Sequence, residues 1–324
     1  MEQEISHGAC TECNERVRDD KLKMIEKTDL LIKKLGFSRV KLDEPMRAHT
    51  WIKVGGPADY YFEAESEEDI EIAVKTAIEA KVPYTIIGLG ANILVSDRGI
   101  RGLLILNKTK EIKFLPHNFV EVSSGVNIVE LTREAGKRGL GGVERMTKVP
   151  ATIGGAIFMN AGDTGRAEFF EDLVVSIKIV DKNGEVKKIF RENADFSYRT
   201  SRFQSSGEII LSSKLELQKM SKEEIDTKVR DILVRKTHQP AGPSVGSTFR
   251  NPEGEHAGAL LDQCGLKGTV LGGAKISDQH ANFIINTGNA KASDVKNLID
   301  LMKKAVKEKF NIDLIEEVRY LGDW

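Results

Sequence analysis

The segment running from Tyr84 to Val126 constrains the fold more than any other. It contains YTIIGLGANILVS, GLLILN, EIKFL and FVEVSSGV, a series of apolar, β-branched runs punctuated by glycine, which is the texture of short strands. GLGAN leads into another strand-like run, NILVS, rather than a helix. A doubly wound dinucleotide fold would need a third glycine before a helix and an acidic residue closing the second strand. Helices flank the stretch instead: SEEDIEIAVKTAIEAK, opened by a Ser66–Asp69 capping box and closed before Pro83, and IVELTREAGKRG. The pattern is α+β.

The same texture extends to both sides. TWIKVGGPADYYFEA reads as short strands, DLVVSIKIVDKNGEVKKIF carries Asn183-Gly184 between alternating runs as a hairpin signal, and EIILSSKLELQ adds a strand. Upstream, Leu22, Ile25, Leu30, Leu31 and Leu35 form a helical stripe that stops at Gly36. Residues 1–20 are polar and charged and read as a loose extension. A boundary is expected near Lys219, where SKEEIDTKVRDILVRK begins a charged amphipathic helix with a Ser221–Glu224 capping box. The remainder reads as a smaller α/β lobe: helix AGALLDQCG, strand HANFIINTG, helix SDVKNLIDLMKKAVKEKF and a closing strand, DLIEEVRYL. The chain thus divides into an extension and helix (1–44), a first region (45–218) and a C-terminal domain (219–324).

Charge excludes some partners. The 48 Lys and Arg against 49 Asp and Glu leave a net charge of −1, so no global field draws in nucleic acid or an anionic membrane, and any anion site is local. Three cysteines, no signal-peptide pattern and no apolar run of membrane-spanning length point to a cytoplasmic protein without membrane insertion.

Five stretches are candidates for chemistry. The glycines of GLGAN either make a structural turn or let backbone N–H groups approach a phosphate. VPATIGGAIFMNAG, almost uncharged, is open between tight packing of small residues and a second loop closing on a diphosphate. In SYRTSRF, Arg199 and Arg202 are either solvated or hold a carboxylate with a planar fork. Glu317 and Arg319 share one face if IEEVRY is a strand, and by themselves read as an edge-strand ion pair. PSVGSTFRNP holds Ser247 after a glycine, between prolines and close to Arg250 and Asn251, with no general base beside it. His7, Cys10 and Cys13 lack the second half of a metal site, so no metal is expected.

In order, IGLGANILVSD, VPATIGGAIFMNAG, FSYRTSRF, VGSTFRNP, AGALLDQCGLKG, GGAKISDQHANFIIN and EEVRYLG resemble the UDP-N-acetylenolpyruvoylglucosamine reductase (MurB) family across about Arg47 to Gly322. The resemblance implies a two-subdomain FAD-binding region of the PCMH/vanillyl-alcohol-oxidase type followed by a smaller α/β substrate-binding domain, in the form lacking an extra tyrosine-bearing substrate loop. It implies NADPH-dependent reduction of UDP-N-acetylglucosamine enolpyruvate to UDP-N-acetylmuramate in peptidoglycan synthesis. FAD is expected to be non-covalent, since neither glycine-rich loop holds a histidine or cysteine, and to lie against Gly88, Leu89, Gly90, Ala91, Asn92, Ile93 and Leu94 and against Thr152, Gly154, Gly155 and Gly162. Carried over position by position, the catalytic residues are Arg199, Ser247 as proton donor and Glu317. Arg235, Asn251, Gln279, His280 and Arg319 fall where the family contacts its sugar nucleotide. His238 stands where some members have a substrate-binding lysine, and AGDTG at 161–165 replaces a more usual AGAYG.

The chemistry suits these residue types. Hydride added to the terminal enolpyruvyl carbon drives negative charge onto the neighbouring carbon and its carboxylate. Arg199 would meet that charge with paired donors, a protonated Glu317 with a hydrogen bond. Ser247 needs no base because it gives a proton.

Overall fold

The computed structural model describes residues 24–163 and 166–324; the expectations at residues 1–20, including His7, Cys10 and Cys13, lie outside them. A first sheet orders Val40–Pro45, Pro57–Ala64, Ile100–Asn107 and Tyr84–Ile87, antiparallel at its first pairing and parallel at the other two. Helix Glu67–Glu79 covers it through Ile70, Ala73, Val74 and Ala77. The Ser66 hydroxyl caps that helix by accepting from Asp69 N at 3.1 Å. The Asp69 carboxylate accepts from Glu65 N at 2.9 Å and pairs with Arg39 at 2.6 Å, and the Ser66 N–H also helps hold its pKa down.

The expected strand over Trp51–Gly56 is a turn. Thr50 Oγ1 donates to Val54 O and accepts from Val54 N, and Lys53 and Gly55 hold φ of 61° and 128°, values that no strand accommodates. Gly55 is forced by closeness, because a Cβ there would lie 2.9 Å from Val95 Cβ.

The second sheet, Val186–Phe190, Val174–Val180, Ile209–Glu216, Phe119–Ser123 and Ile112–Phe114, is antiparallel throughout. The Asn183-Gly184 hairpin forms, with Gly184 at φ +81°. Asp181 Oδ1 accepts from Asn183 N and Glu185 N, and its ion pair with Lys187, with those N–H groups, brings the carboxyl down to about 2. Helix Lys222–Arg235, read from the sequence as the start of the last domain, lies on this lobe, against the 3₁₀ turn Glu144–Met146, with Lys228 and Glu144 3.5 Å apart.

The third sheet runs Ser244–Ser247, Phe283–Asn286, Ala274–Ile276 and Val270–Leu271, antiparallel, under helices Ala257–Gln263 and Ala292–Phe310. Its core also takes in Ile52, Val54 and Leu94 from the first half of the chain, so this lobe is seated on the first. The expected closing strand is regular only over Arg319–Leu321, which pairs parallel with Ile93–Val95. Before that the chain is held elsewhere, by Arg250 N to Ile315 O and Glu317 N to Thr248 O. One segment serving two lobes cannot keep a single ladder. Among the described residues no helix is long and apolar enough to cross a membrane.

Candidate active site

Five chain segments meet where the lobes join. SYRT is a tight turn closed by reciprocal main-chain bonds between Ser197 and Thr200, with Arg199 at φ +56°, a conformation uncommon outside glycine and often found at working sites. The turn aims Arg199 inward, where Nε lies 3.0 Å from Glu317 Oε1 and Nη2 donates to Gly162 O at 3.0 Å. Nη1 is buried and finds no partner among the described residues. Nε, despite its distance, is not aligned for a hydrogen bond, so the guanidinium lies beside the carboxyl and retains donors.

Glu317 arrives on the segment that crosses between lobes. Its N–H donates to Thr248 O at 2.8 Å and its carbonyl accepts from Asn92 Nδ2 at 3.0 Å. Burial pushes its carboxyl above the usual range, more than Arg199 and Arg250 bring it down. Ser247 stands next to Thr248 on a strand with a bulge between Ser244 and Ser247; Gly246, at φ +73°, turns the chain there, and such bulges re-aim side chains. The Ser247 side chain is half-buried, and its hydroxyl makes no hydrogen bond among the described residues.

The glycine-rich loops also converge. A Cβ on Gly88 would lie 2.5 Å from Thr152 Oγ1, so the first loop needs glycine to approach the second, and one on Gly154 would lie 2.9 Å from Ser124 Cβ. Their donors differ. Ile153, Gly154, Gly155 and Ala156 give their N–H groups to Val126 O, Ser124 O, Thr152 Oγ1 and Thr152 O. The N–H groups of Leu89, Gly90, Ala91 and Asn92 find no protein acceptor among the described residues, leaving a run of donors beside a close-packed wall, which fits a diphosphate. Asn92 O accepts from Arg319 N at 3.0 Å, and Ile93 and Leu94 pair with Arg319 and Tyr320. The far end of this loop therefore locates Glu317.

The expected substrate contacts are spread more widely. Asn251 uses Oδ1 on Ala257 N, and its own N–H reaches Tyr198 Oη, which ties it to the Arg199 turn. The Arg319 guanidinium lies over Phe158 at 5.9 Å. His280 stacks on His238 at 5.3 Å and accepts from Asn282 N; burial and the His238 ring push it below the usual histidine range. Gln279 is exposed. Arg235 pairs with Asp163 at 3.1 Å at the surface. Arg250 was given no role from the sequence. With Nη1 on Thr200 Oγ1 at 3.3 Å and Nε buried without a partner among the described residues, it is a second guanidinium acting on Glu317.

Residues 58–189 match the model of an FAD-binding domain. With the two-loop cradle and the buried arginine–carboxyl pair, this defines a flavin-dependent oxidoreductase with an FAD-binding region. Residues 237–321 match the C-terminal domain of UDP-N-acetylenolpyruvoylglucosamine reductase. A UDP-N-acetylenolpyruvoylglucosamine reductase from Clostridium botulinum is 39% identical over 292 residues, 89% of this chain and 94% of that protein. One from Clostridioides difficile is 38% identical across 90% of this chain and 97% of its own. The crystal structure of the Thermus caldophilus enzyme superposes with a TM-score of 0.74 at 31% identity, covering 87% of this chain and 98% of that one. The chain belongs to the UDP-N-acetylenolpyruvoylglucosamine reductase family.

Proposed function

We propose that this protein reduces UDP-N-acetylglucosamine enolpyruvate to UDP-N-acetylmuramate at the expense of NADPH, in peptidoglycan synthesis. FAD, held non-covalently by the donors of 89–92 against the wall formed by Thr152 and Gly154, supplies the hydride relay between the two substrates. Arg199 binds the enolpyruvyl carboxylate through its unpartnered donors. Glu317, kept protonated by burial, gives that carboxylate a hydrogen bond as charge develops. Ser247 passes its proton to the carbon bearing the ether oxygen. Asn251, Gln279, His280, Arg235 and Arg319 are assigned to the sugar nucleotide. NADPH and the sugar nucleotide use the site in turn, and the protein works in the cytoplasm.

The Arg199–Glu317 pair, 3.0 Å apart one main-chain bond away from the Ser247 strand, carries this reading. The visible spectrum of the purified protein, followed by NADPH consumption with and without the enolpyruvyl sugar nucleotide, tests it. A yellow protein whose NADPH oxidation depends on the sugar nucleotide is expected. Oxidation independent of it would indicate an oxidase, and a colourless protein that does not take up FAD a binding module.

A further inference from the structure

His49 closes the 3₁₀ turn Met46–Ala48, and its ring is held through both nitrogens. Nε2 lies 2.8 Å from Glu44 Oε1 and Nδ1 3.2 Å from the Tyr61 hydroxyl, with the His49 and Tyr61 rings 4.5 Å apart. Tyr61, wholly buried in strand Pro57–Ala64, donates to Glu63 Oε1 at 2.8 Å, and Glu63 pairs with Lys108, just past strand Ile100–Asn107. Lys41 completes the array, 3.7 Å from Glu44 Oε1 and 5.2 Å from the centre of the Tyr61 ring. Burial and the bond to Glu63 keep the Tyr61 proton in place well above the usual tyrosine range, and Lys108, with help from Tyr61, holds Glu63 below the usual carboxylate range. Main-chain bonds to Met46 O, from His49 N at 2.8 Å and Thr50 N at 3.1 Å, give the turn its shape. The His49 ring fastens that turn to the first sheet.

The turn carries the first glycine-rich loop. Gly90, at φ +63°, rests so closely on it that a Cβ would stand 2.4 Å from His49 O and 3.0 Å from Thr50 Cα, and the Gly90 carbonyl accepts from Trp51 N at 3.0 Å. Gly90 lies within the run Leu89–Asn92, whose N–H groups are the donors that fit a diphosphate. With its Cα against His49 and its carbonyl on Trp51, the peptide planes on either side of Gly90 follow the turn, and a donor turned off line loses strength steeply. We infer that His49 is a positioning residue for FAD: its ring contacts with Glu44 and Tyr61 fix the turn on which Gly90 rests, and so aim the N–H groups of the loop at the diphosphate of the cofactor. A shift of this turn reaches FAD through backbone alone, since no side chain of the array belongs to the loop. This role needs FAD but not the sugar nucleotide, so it stands apart from the choice of reducible substrate proposed above.

The test uses flavin-loaded, full-length protein as wild type, His49→Ala, Tyr61→Phe and the double variant. Flavin fluorescence on dilution gives the dissociation constant of FAD, and stopped-flow absorbance gives the rate of flavin reduction at saturating NADPH in the protein that remains loaded. His49→Ala is expected to weaken FAD by roughly tenfold to a hundredfold and Tyr61→Phe by about tenfold. The double variant should be no weaker than His49→Ala, because both changes cut one chain of contacts. Once loaded, every variant should be reduced at the wild-type rate. His49→Ala that holds FAD like wild type overturns the inference, and so do losses that multiply in the double variant, which would make each a separate loss of packing. Should His49→Ala not fold, Tyr61→Phe, which removes one oxygen, decides alone, and wild-type affinity there overturns the inference. A wild-type protein that takes up no FAD overturns it together with the proposed function, whereas one that takes up FAD but oxidises NADPH without the sugar nucleotide sinks only the latter.

Discussion

In the proposed reaction Glu317 and Ser247 are opposite solutions to one problem, the supply of protons near neutral pH without a base. Glu317 is an ordinary acid made weaker by burial against the pull of Arg199 and Arg250; Ser247 is a very weak acid whose effectiveness comes from position. Glu317 therefore holds its proton to higher pH than an ordinary carboxyl. As pH rises through its raised pKa it loses a donor and places negative charge beside a developing enolate, so flavin reoxidation by the sugar nucleotide should slow on the alkaline side. Glu317→Gln should be slower throughout but level there, and a wild-type profile as level as that of the variant would argue against a protonated Glu317. Ser247→Ala should leave flavin reduction by NADPH almost intact and slow reoxidation by roughly a hundredfold to ten-thousandfold; equal slowing of both half-reactions in stopped-flow absorbance would remove Ser247 as the donor. These residues were legible because their local motifs carry a family signature. Arg250 was not, because what marks it is company, Glu317 and Thr200.

Elements with local causes were equally readable. Helix Glu67–Glu79 has its own cap and apolar stripe, and the hairpin at Gly184 its own turn chemistry. Trp51–Gly56 and residues 313–318 were misread as strands because their partners are remote: Gly56 N is held by Ser96 O, and Glu317 N by Thr248 O. The two glycine-rich loops depend on mutual approach. Gly88→Ala would bring a methyl within 2.5 Å of Thr152 Oγ1, which caps Gly155 N; the loops must part or the cap must break, at roughly 1–3 kcal/mol. The variant should purify with much less bound flavin per protein than wild type. Full flavin content would mean the loops have slack and are not the cofactor cradle.

At the scale of the molecule, the site exists only while the C-terminal lobe stays seated on the first, and one carboxylate bridges the two. Asp97, two residues past Ile93–Val95, accepts from Ala292 N at 2.8 Å and Ser293 N at 3.0 Å, giving the helix Ala292–Phe310 acceptors from a different lobe. Burial raises the Asp97 carboxyl, but the Ser293 and Ala292 N–H groups outweigh it and hold the group below the usual aspartate range. A depressed folded-state pKa contributes stability above the unfolded value that disappears as pH falls through the folded one. Asp97→Ala should therefore cost about 1–2 kcal/mol at neutral pH, read from urea denaturation as a lower midpoint at unchanged slope, and the gap to wild type should close in strong acid. Asp97→Asn, which keeps an acceptor but no charge, should fall between them at neutral pH. A gap of the same size at both pH values would show that the lobe is seated by its apolar contacts, Ile52, Val54 and Leu94 in the shared core, and that Asp97 adds nothing as a charge.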